Sequence, residues 1–110
     1  MAAEKESLMA QALGLSDLVS YQAGAVVSRT LLDKKAGTIT MFAFAEGEGL
    51  SEHTAPFDAF VQIIDGSAEI TVDGVMHMVH DGEMIIMPAN KPHALRAALQ
   101  FKMLLVMIRS

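Results

Sequence analysis

Apolar and polar residues alternate along much of this chain with the period of two that is typical of β-strands. Between residues 67 and 72, Ala68, Ile70 and Val72 alternate with polar residues, so one face of this strand is expected to point inward. Between residues 38 and 45, apolar side chains occupy both faces. A strand covered on both sides is typical of the interior of a sandwich or barrel. The pattern therefore predicts one all-β domain.

Tight-turn signals separate the predicted strands. Three Asp-Gly pairs, at 65–66, 73–74 and 81–82, recur every eight residues. Asp-Gly favours turns because Gly tolerates positive φ and Asp hydrogen-bonds its own backbone. Evenly spaced turns between short strands are typical of an antiparallel sandwich or barrel. The predicted strands span residues 25–32, 38–45, 53–55, 57–64, 67–72, 75–80, 84–87, 92–98 and 101–108.

The first part of the chain is predicted to differ from the rest. Residues 3–13 are good helix formers, and Gly14 would end a short helix there. Leu15 to Tyr21 is predicted to form an edge strand. We therefore expect a single domain over residues 1–110, with a helical or frayed segment at 1–14 and a core at 47–97.

Composition narrows the classes of protein and partner. A chain of 110 residues suits one domain, and its 52% apolar content and mean hydropathy of +0.36 predict surface buried in a homodimer. A net charge of −5 without a basic run argues against nucleic acid. The most apolar stretch, residues 99–108, is too short to span a membrane. Without Cys or a signal peptide, a cytoplasmic location is expected.

Two segments have spacings that resemble the paired motifs of the cupin superfamily. These motifs have the forms G-x5-H-x-H-x3,4-E-x6-G and G-x5-P-x-G-x2-H-x3-N. The matching residues are Gly47, His53 and Gly66 in the first motif and Gly82, Pro88 and His93 in the second. The resemblance implies a small single-domain cupin with an all-β double-stranded β-helix, the RmlC-like jelly roll. It also implies that His53 and His93 meet across the barrel.

Several motif positions carry other residues, and two of them concern metal binding. The departures are Ala55 for the second His, Ala59 for the Glu, Asn90 for the internal Gly and Ala97 for the final Asn. Cupin metal sites use the His and Glu positions, so the resemblance implies a depleted site. His53 and His93 would hold a divalent transition metal, Zn, Ni, Fe or Mn, only weakly. With Ala55 and Ala59, they form the predicted ligand pocket.

Two further polar residues are candidates for the site. His77 shares a strand face with Val75 and Val79 and is a third candidate metal ligand, although a hydrogen-bonded core histidine is more common in such a position. Gln62 lies on an otherwise apolar strand, where an amide needs partners. It is assigned to the pocket, with a subunit interface as the alternative.

Methionine could also contribute to a metal site. Met and His together can hold Cu(I), and four methionines lie near His77 in the sequence, namely Met76, Met78, Met84 and Met87. Methionine more often fills irregular gaps in a core, because its side chain is flexible and polarisable.

Three functions are consistent with these observations. The first is a binding module, because a small apolar barrel with His53 and His93 at its mouth suits a small organic or anionic ligand. The alternative is a metal-dependent enzyme, for which the cupin resemblance implies dioxygenase or isomerase chemistry at an incomplete histidine site. A structural role is the third. Alanine at both missing ligand positions leaves space rather than chemistry, so binding is the favoured interpretation and no catalytic residue is assigned.

Overall fold

The strands form two antiparallel sheets. The structure is a computed structural model and describes residues 8–109. The strands of the two sheets are β1 (Val26–Lys34), β2 (Gly37–Phe44), β3 (Gly49–His53), β4 (Asp58–Asp65), β5 (Ser67–Val72), β6 (Val75–His80), β7 (Met84–Met87), β8 (His93–Arg96) and β9 (Phe101–Ile108). Sheet A has the order β1-β2-β9-β4-β7 and sheet B the order β3-β8-β5-β6. This double sheet confirms the predicted all-β jelly roll.

The three Asp-Gly pairs lie where strands reverse direction. Asp73 and Gly74 connect β5 to β6, and their φ angles of +50° and +81° are both positive, as a type I′ hairpin turn requires. Gly66 connects β4 to β5 with a φ of +78°. A Cβ atom at Gly66 would lie 2.5 Å from the carbonyl oxygen of Gln100, so this turn has no room for a side chain.

The inner faces of the two sheets enclose the main hydrophobic core. Successive side chains on a strand point to opposite faces, and Ala68 and Ile70 are fully buried as predicted. Phe44 of β2 and Phe101 of β9 are direct strand partners with stacked rings, whose centroids lie 4.5 Å apart. The buried members of this core are Phe44, Ala59, Val61, Ile63, Ala68, Ile70, Val79, Met87, Leu95, Ala97, Phe101 and Met103.

A second apolar cluster covers the outer face of sheet A. Met41 and Ala43 on β2 point away from the main core and are buried together with Val19. The prediction that this strand is covered on both faces is therefore confirmed. The cover comes from residues 15–21, but the predicted edge strand there is wrong, because Leu15–Leu18 forms a 3₁₀ turn.

Polar contacts with Lys102 and Asp65 hold this N-terminal segment across the face of sheet A. Lys102 donates a hydrogen bond from Nζ to the Ser16 carbonyl oxygen at 2.6 Å. The Tyr21 hydroxyl donates to the Asp65 carboxylate at 2.5 Å. Burial raises the pKa of Tyr21, and the hydrogen bond to Asp65 raises it further. Since both partners belong to strands inside sheet A, the segment lies over the sheet and does not extend its edge.

The predicted N-terminal helix is only partly within the described residues. Residues 8–10 form a turn and residues 11–14 have no regular secondary structure, so this part of the helix prediction is wrong. Residues 3–7 of the predicted helix lie outside the described range. Over residues 8–109, no helix combines the length and the apolar character that a membrane-crossing segment needs.

The stacked phenylalanines yield a stability prediction. Replacing the fully buried Phe44 by Ala removes the stack on Phe101 and leaves a cavity, so we expect unfolding to become easier by about 3–5 kcal/mol. Leu99→Ala is the control, because Leu99 is 67% exposed and its truncation should change stability by no more than about 0.5 kcal/mol. Urea denaturation measures both values. Similar losses in the two variants would contradict this description of the core.

Candidate functional site

Two histidines from different motifs meet in sheet B. His53 is the last residue of β3 and His93 is the first residue of β8, and the two are direct partners in the antiparallel pairing. Their Nε2 atoms lie 3.1 Å apart. His93 is only 6% exposed, whereas His53 is exposed to solvent. The pair therefore connects the interior of the barrel with the outside.

Backbone carbonyl groups fix the tautomer of both rings. His53 donates from Nδ1 to the Ser51 carbonyl oxygen at 2.7 Å, and His93 donates from Nδ1 to the Lys91 carbonyl oxygen at 3.2 Å. A carbonyl oxygen only accepts, so each Nδ1 carries a hydrogen. In the neutral ring, Nε2 then carries a lone pair. Two lone pairs are therefore close together, and this arrangement is favourable only with a proton between the two nitrogens or another electron-pair acceptor beside them.

The surroundings of His93 oppose a proton as that acceptor. Burial lowers the pKa of His93, and charge on the neighbouring His53 ring lowers it further, against the opposing effect of the Lys91 carbonyl. Neutral His93 is thus favoured in the folded protein. Neutral His93 presents its Nε2 lone pair to His53 and to whatever occupies the adjoining space.

A small cavity adjoins the histidine pair between the sheets. Its volume is about 60 Å³, which is room for about four water molecules. The walls consist of the two histidines and eight apolar residues, namely Leu50, Ala55, Ala59, Met87, Leu95, Met103, Leu105 and Met107. Four predicted pocket residues, His53, His93, Ala55 and Ala59, therefore line one cavity.

Sheet A forms the wall that faces the histidines. Ala59 on β4 is the direct strand partner of Met87 on β7 and also of Met107 on β9. The residue in place of the motif Glu is thus a small side chain flanked by two methionines. Direct partners have Cβ atoms about 4.5–5.5 Å apart, so both thioethers start close to the space that Ala59 leaves open.

The loop before β8 holds its shape despite the loss of a motif glycine. Asn90 occupies that position and keeps a φ of +66°, a left-handed conformation that Asn tolerates better than most residues. Its backbone N–H donates to the Ala55 carbonyl oxygen at 2.8 Å. The Asp58 carboxylate accepts a hydrogen bond from the N–H of Ala89 at 2.9 Å. These bonds fix the loop that leads to His93.

The Met107 end of the cavity lies far from the aromatic stack. Phe101 and Met107 share the inner face of β9, and six residues along this strand separate them, which corresponds to about 20 Å. Met103, which lies between them on the same face, belongs both to the main core and to the cavity wall, so the cavity is continuous with the core.

His77 is not part of this site, and its predicted inward position is wrong. β6 is an edge strand of sheet B, and Val79 is its only buried residue. His77 shares the strand face of Val79 but is exposed on this edge strand. It therefore cannot join His53 and His93 on one ligand.

Gln62 also lies apart from the cavity. Its neighbours Val61 and Ile63 are fully buried on the inner face of β4, so Gln62 points to the outer face of sheet A. There it is half-buried between its strand partners Met84 and Leu104. The assignment of Gln62 to the pocket is wrong, because strand parity separates it from Ala59.

Sequence reasoning did not assign the methionines and leucines of the cavity to the site. The alternation of Met103, Leu105 and Met107 along β9 gives their common face, but only the strand order tells which face is the inner one. Met87 is known as a neighbour of Ala59 only through the β4–β7 register. Nothing in the sequence indicates the carbonyl partners of the two Nδ1 atoms.

A larger concavity elsewhere on the chain is less suited to chemistry. It has a volume of about 510 Å³ and lies between Leu8, Met9 and residues 30–34 of β1. Its charged lining residues are Asp33 and Lys34, which are both exposed on the strand end. The histidine cavity is therefore the candidate site.

Comparison with known proteins agrees with this fold and these motifs. The family model described as "Cupin domain" matches residues 40–109. This chain belongs to the cupin family. No curated protein matches the sequence.

Several solved structures are similar to this chain. A conserved protein of unknown function from Streptococcus pyogenes is 40% identical with a TM-score of 0.87, and the match covers 92% of this chain and 89% of that one. A cupin 2 conserved barrel domain protein from Leptotrichia buccalis is also 40% identical, with a TM-score of 0.83 over 86% of this chain and 46% of its own. A cupin superfamily protein from Desulfitobacterium hafniense is 29% identical, with a TM-score of 0.87 over 93% and 94%.

The residues at the site do not fit the divalent metal that the family resemblance implies. Two convergent imidazoles are present, but Ala55 and Ala59 stand where a third imidazole and a carboxylate would complete the set. Across residues 8–109, no three His, Cys, Asp or Glu side chains are grouped closely enough to hold an ion. Structural and catalytic sites for such metals use at least three protein ligands. No reaction step through a divalent metal follows from this site.

Restoring the missing ligands tests this account. The double change Ala55→His and Ala59→Glu places both new groups on the cavity wall, so Zn(II) and Ni(II) affinity should rise by about 100-fold or more. Titration calorimetry of parent and variant measures the change, with His53→Ala in the variant background as control. Equal weak binding in both proteins would mean that the four side chains do not converge.

The buried histidine predicts how stability depends on pH. Its pKa is lower in the folded protein, so folding favours neutral His93, and this contribution is complete above about pH 6.5, the unfolded value. As the pH falls below this value, the unfolded chain takes up the proton more readily than the folded protein does. Stability is therefore lost progressively until the pH is below the lowered pKa of His93 in the folded protein. Urea denaturation between pH 8 and 5 should show a steeper loss for the parent than for His93→Gln. Parallel curves would contradict the burial effect.

Proposed function

We propose that this cupin is a binding protein that holds a small ligand in its barrel through the Nε2 atoms of His53 and His93. The observation that carries the proposal is the pair of Nε2 atoms, 3.1 Å apart, with both Nδ1 atoms committed to backbone carbonyl groups. Such a pair recognises an electron-pair acceptor. The acceptor is either a hydrogen-bond donor group on a small molecule or a cation.

The cavity composition supports binding over catalysis. Its walls contain no carboxylate, hydroxyl or amine, and the two imidazoles are the only polar side chains among its lining residues. General acid–base catalysis needs groups with distinct roles around the reacting atoms. A metal-dependent enzyme needs an ion held firmly with open positions, and Ala55 and Ala59 contribute no ligand to one.

The size and polarity of the cavity restrict the ligand. A space of about 60 Å³ accepts only a few non-hydrogen atoms unless the wall moves. An anion would face two lone pairs beside an apolar wall, which is unfavourable. Of the ligands that the sequence predicts, a small neutral or cationic one therefore suits the site better than an anion. Met87, Met103 and Met107 provide a flexible wall.

The predicted homodimer stays a prediction. The described chain exposes apolar side chains on the neighbouring edge strands β6 and β7, namely Val75, Met76, Met78, Met84 and Ile86. Exposed apolar side chains of this kind are consistent with a protein interface.

The binding proposal is tested by NMR of the histidine rings. The probes are methanol, ethanol, Zn(II) and Ag(I), each titrated at pH 7.5 while the imidazole signals are recorded. We expect at least one probe to shift the signals of His53 and His93 together, because both Nε2 atoms contact the same ligand. The affinity for that probe should fall by about 10-fold or more in His93→Ala.

His77→Ala is the matched control for this experiment. His77 is exposed and lies outside the cavity, so its loss should leave the affinity unchanged. The proposal fails if no probe moves the two signals together. It also fails if a probe binds the parent and His93→Ala equally well.

A further inference from the structure

The wall opposite the histidines indicates which class of ligand the cavity suits. Met87 and Met107 lie on either side of Ala59, one on each neighbouring strand, and all three line the histidine cavity. Two imidazoles on sheet B and two methionine side chains on sheet A thus line the same cavity. Thioether sulfur is a soft, neutral ligand that selects Cu(I) over hard divalent ions.

The spacing of the histidines suits two ligands of one ion. Two nitrogen atoms at about 2.0–2.1 Å from an ion lie about 2.8–3.4 Å apart when the N–ion–N angle is about 90–109°. The observed Nε2–Nε2 distance of 3.1 Å falls within this range. The hydrogen bonds from Nδ1 to Ser51 and Lys91 hold the rings in the orientation that ligating histidines need.

The charge balance of the cavity favours a monovalent ion. Its lining residues include no carboxylate, so the charge of any ion stays uncompensated. The Born cost of moving an ion into an apolar space rises with the square of its charge, so a monovalent ion loses only about a quarter of what a divalent ion loses. The loss of the motif carboxylate at Ala59 therefore disfavours a divalent ion more strongly than a monovalent one.

We propose that the cavity binds one soft monovalent cation, Cu(I) or its analogue Ag(I), through Nε2 of His53, Nε2 of His93 and the sulfur of Met87 or Met107. This proposal rests on the proposed function, since it names the ligand of the same site. It also explains how a site with only two imidazoles, which does not suit a divalent ion, can still bind a metal ion. The third donor comes from a residue type that the family motifs do not contain.

The first test is a competition titration with Cu(I) and bicinchoninate under anaerobic reducing conditions. We expect the parent to bind one Cu(I) tightly per chain and to bind Zn(II) more weakly by about 100-fold or more. In the double variant Met87→Leu/Met107→Leu, the affinity for Cu(I) should fall by about 10-fold or more. Leu and Met have similar volumes and are exchanged readily in cores. Met84→Leu is the matched control, because Met84 lies on the same strand as Met87 but is 46% exposed on the other face.

A second measurement on the unaltered chain removes any dependence on variants. With the methionine methyl groups labelled by carbon-13, one equivalent of Ag(I) should shift the methyl signal of Met87 or Met107 and leave those of Met84 and Met76 in place. The inference is overturned if the double Leu variant binds Cu(I) as tightly as the parent. It is also overturned if Zn(II) binds the parent as tightly as Cu(I), or if neither cavity methyl signal responds.

The outcomes separate this inference from the proposed function. If another probe moves the signals of His53 and His93 and Ag(I) does not, the binding site stands and the soft cation is wrong. If no probe moves these signals, both proposals fail.

Discussion

The position of β9 in the middle of sheet A is the constraint on which the rest of the molecule depends. β9 pairs with β2 on one side and β4 on the other, and its alternating side chains serve two layers. Phe101 and Met103 fill the core between the sheets, while Lys102 and Leu104 hold the N-terminal segment on the outer face. Because this strand is apolar along nearly its whole length, it can be covered on both faces, and the two sheets and the outer layer assemble around it.

Local signals were sufficient to predict most of the fold. The turns at residues 65–66, 73–74 and 81–82 are encoded by residue types that tolerate positive φ. These turns define where the two strands between them begin and end. Errors occurred where tertiary contacts override the local pattern. Residues 15–21 have the composition of a strand, but Tyr21 and Ser16 find their partners on the face of sheet A. Likewise, the alternation around His77 is real, but on this edge strand Val79 is buried and His77 on the same face is exposed.

The site could be predicted only as far as the family motifs reach. The match to the cupin motifs placed His53, His93, Ala55 and Ala59 in the pocket. Methionine was considered as a partner of histidine, but around His77, where the residues are neighbours in sequence. The methionines near the histidine pair come from β7 and β9, and their closeness is a matter of strand register. The tautomers depend on backbone carbonyl groups, which no sequence pattern reveals.

The separation of the aromatic stack from the Met107 end of the histidine cavity has an evolutionary consequence. Met107, a candidate donor on the cavity wall, lies about 20 Å along β9 from Phe101, which stacks on Phe44. A change of ligand at this end of the barrel is therefore expected to cost less stability than truncation of either stacked ring. The same architecture could then carry different donor sets, with the stacked rings holding the two sheets together in each case.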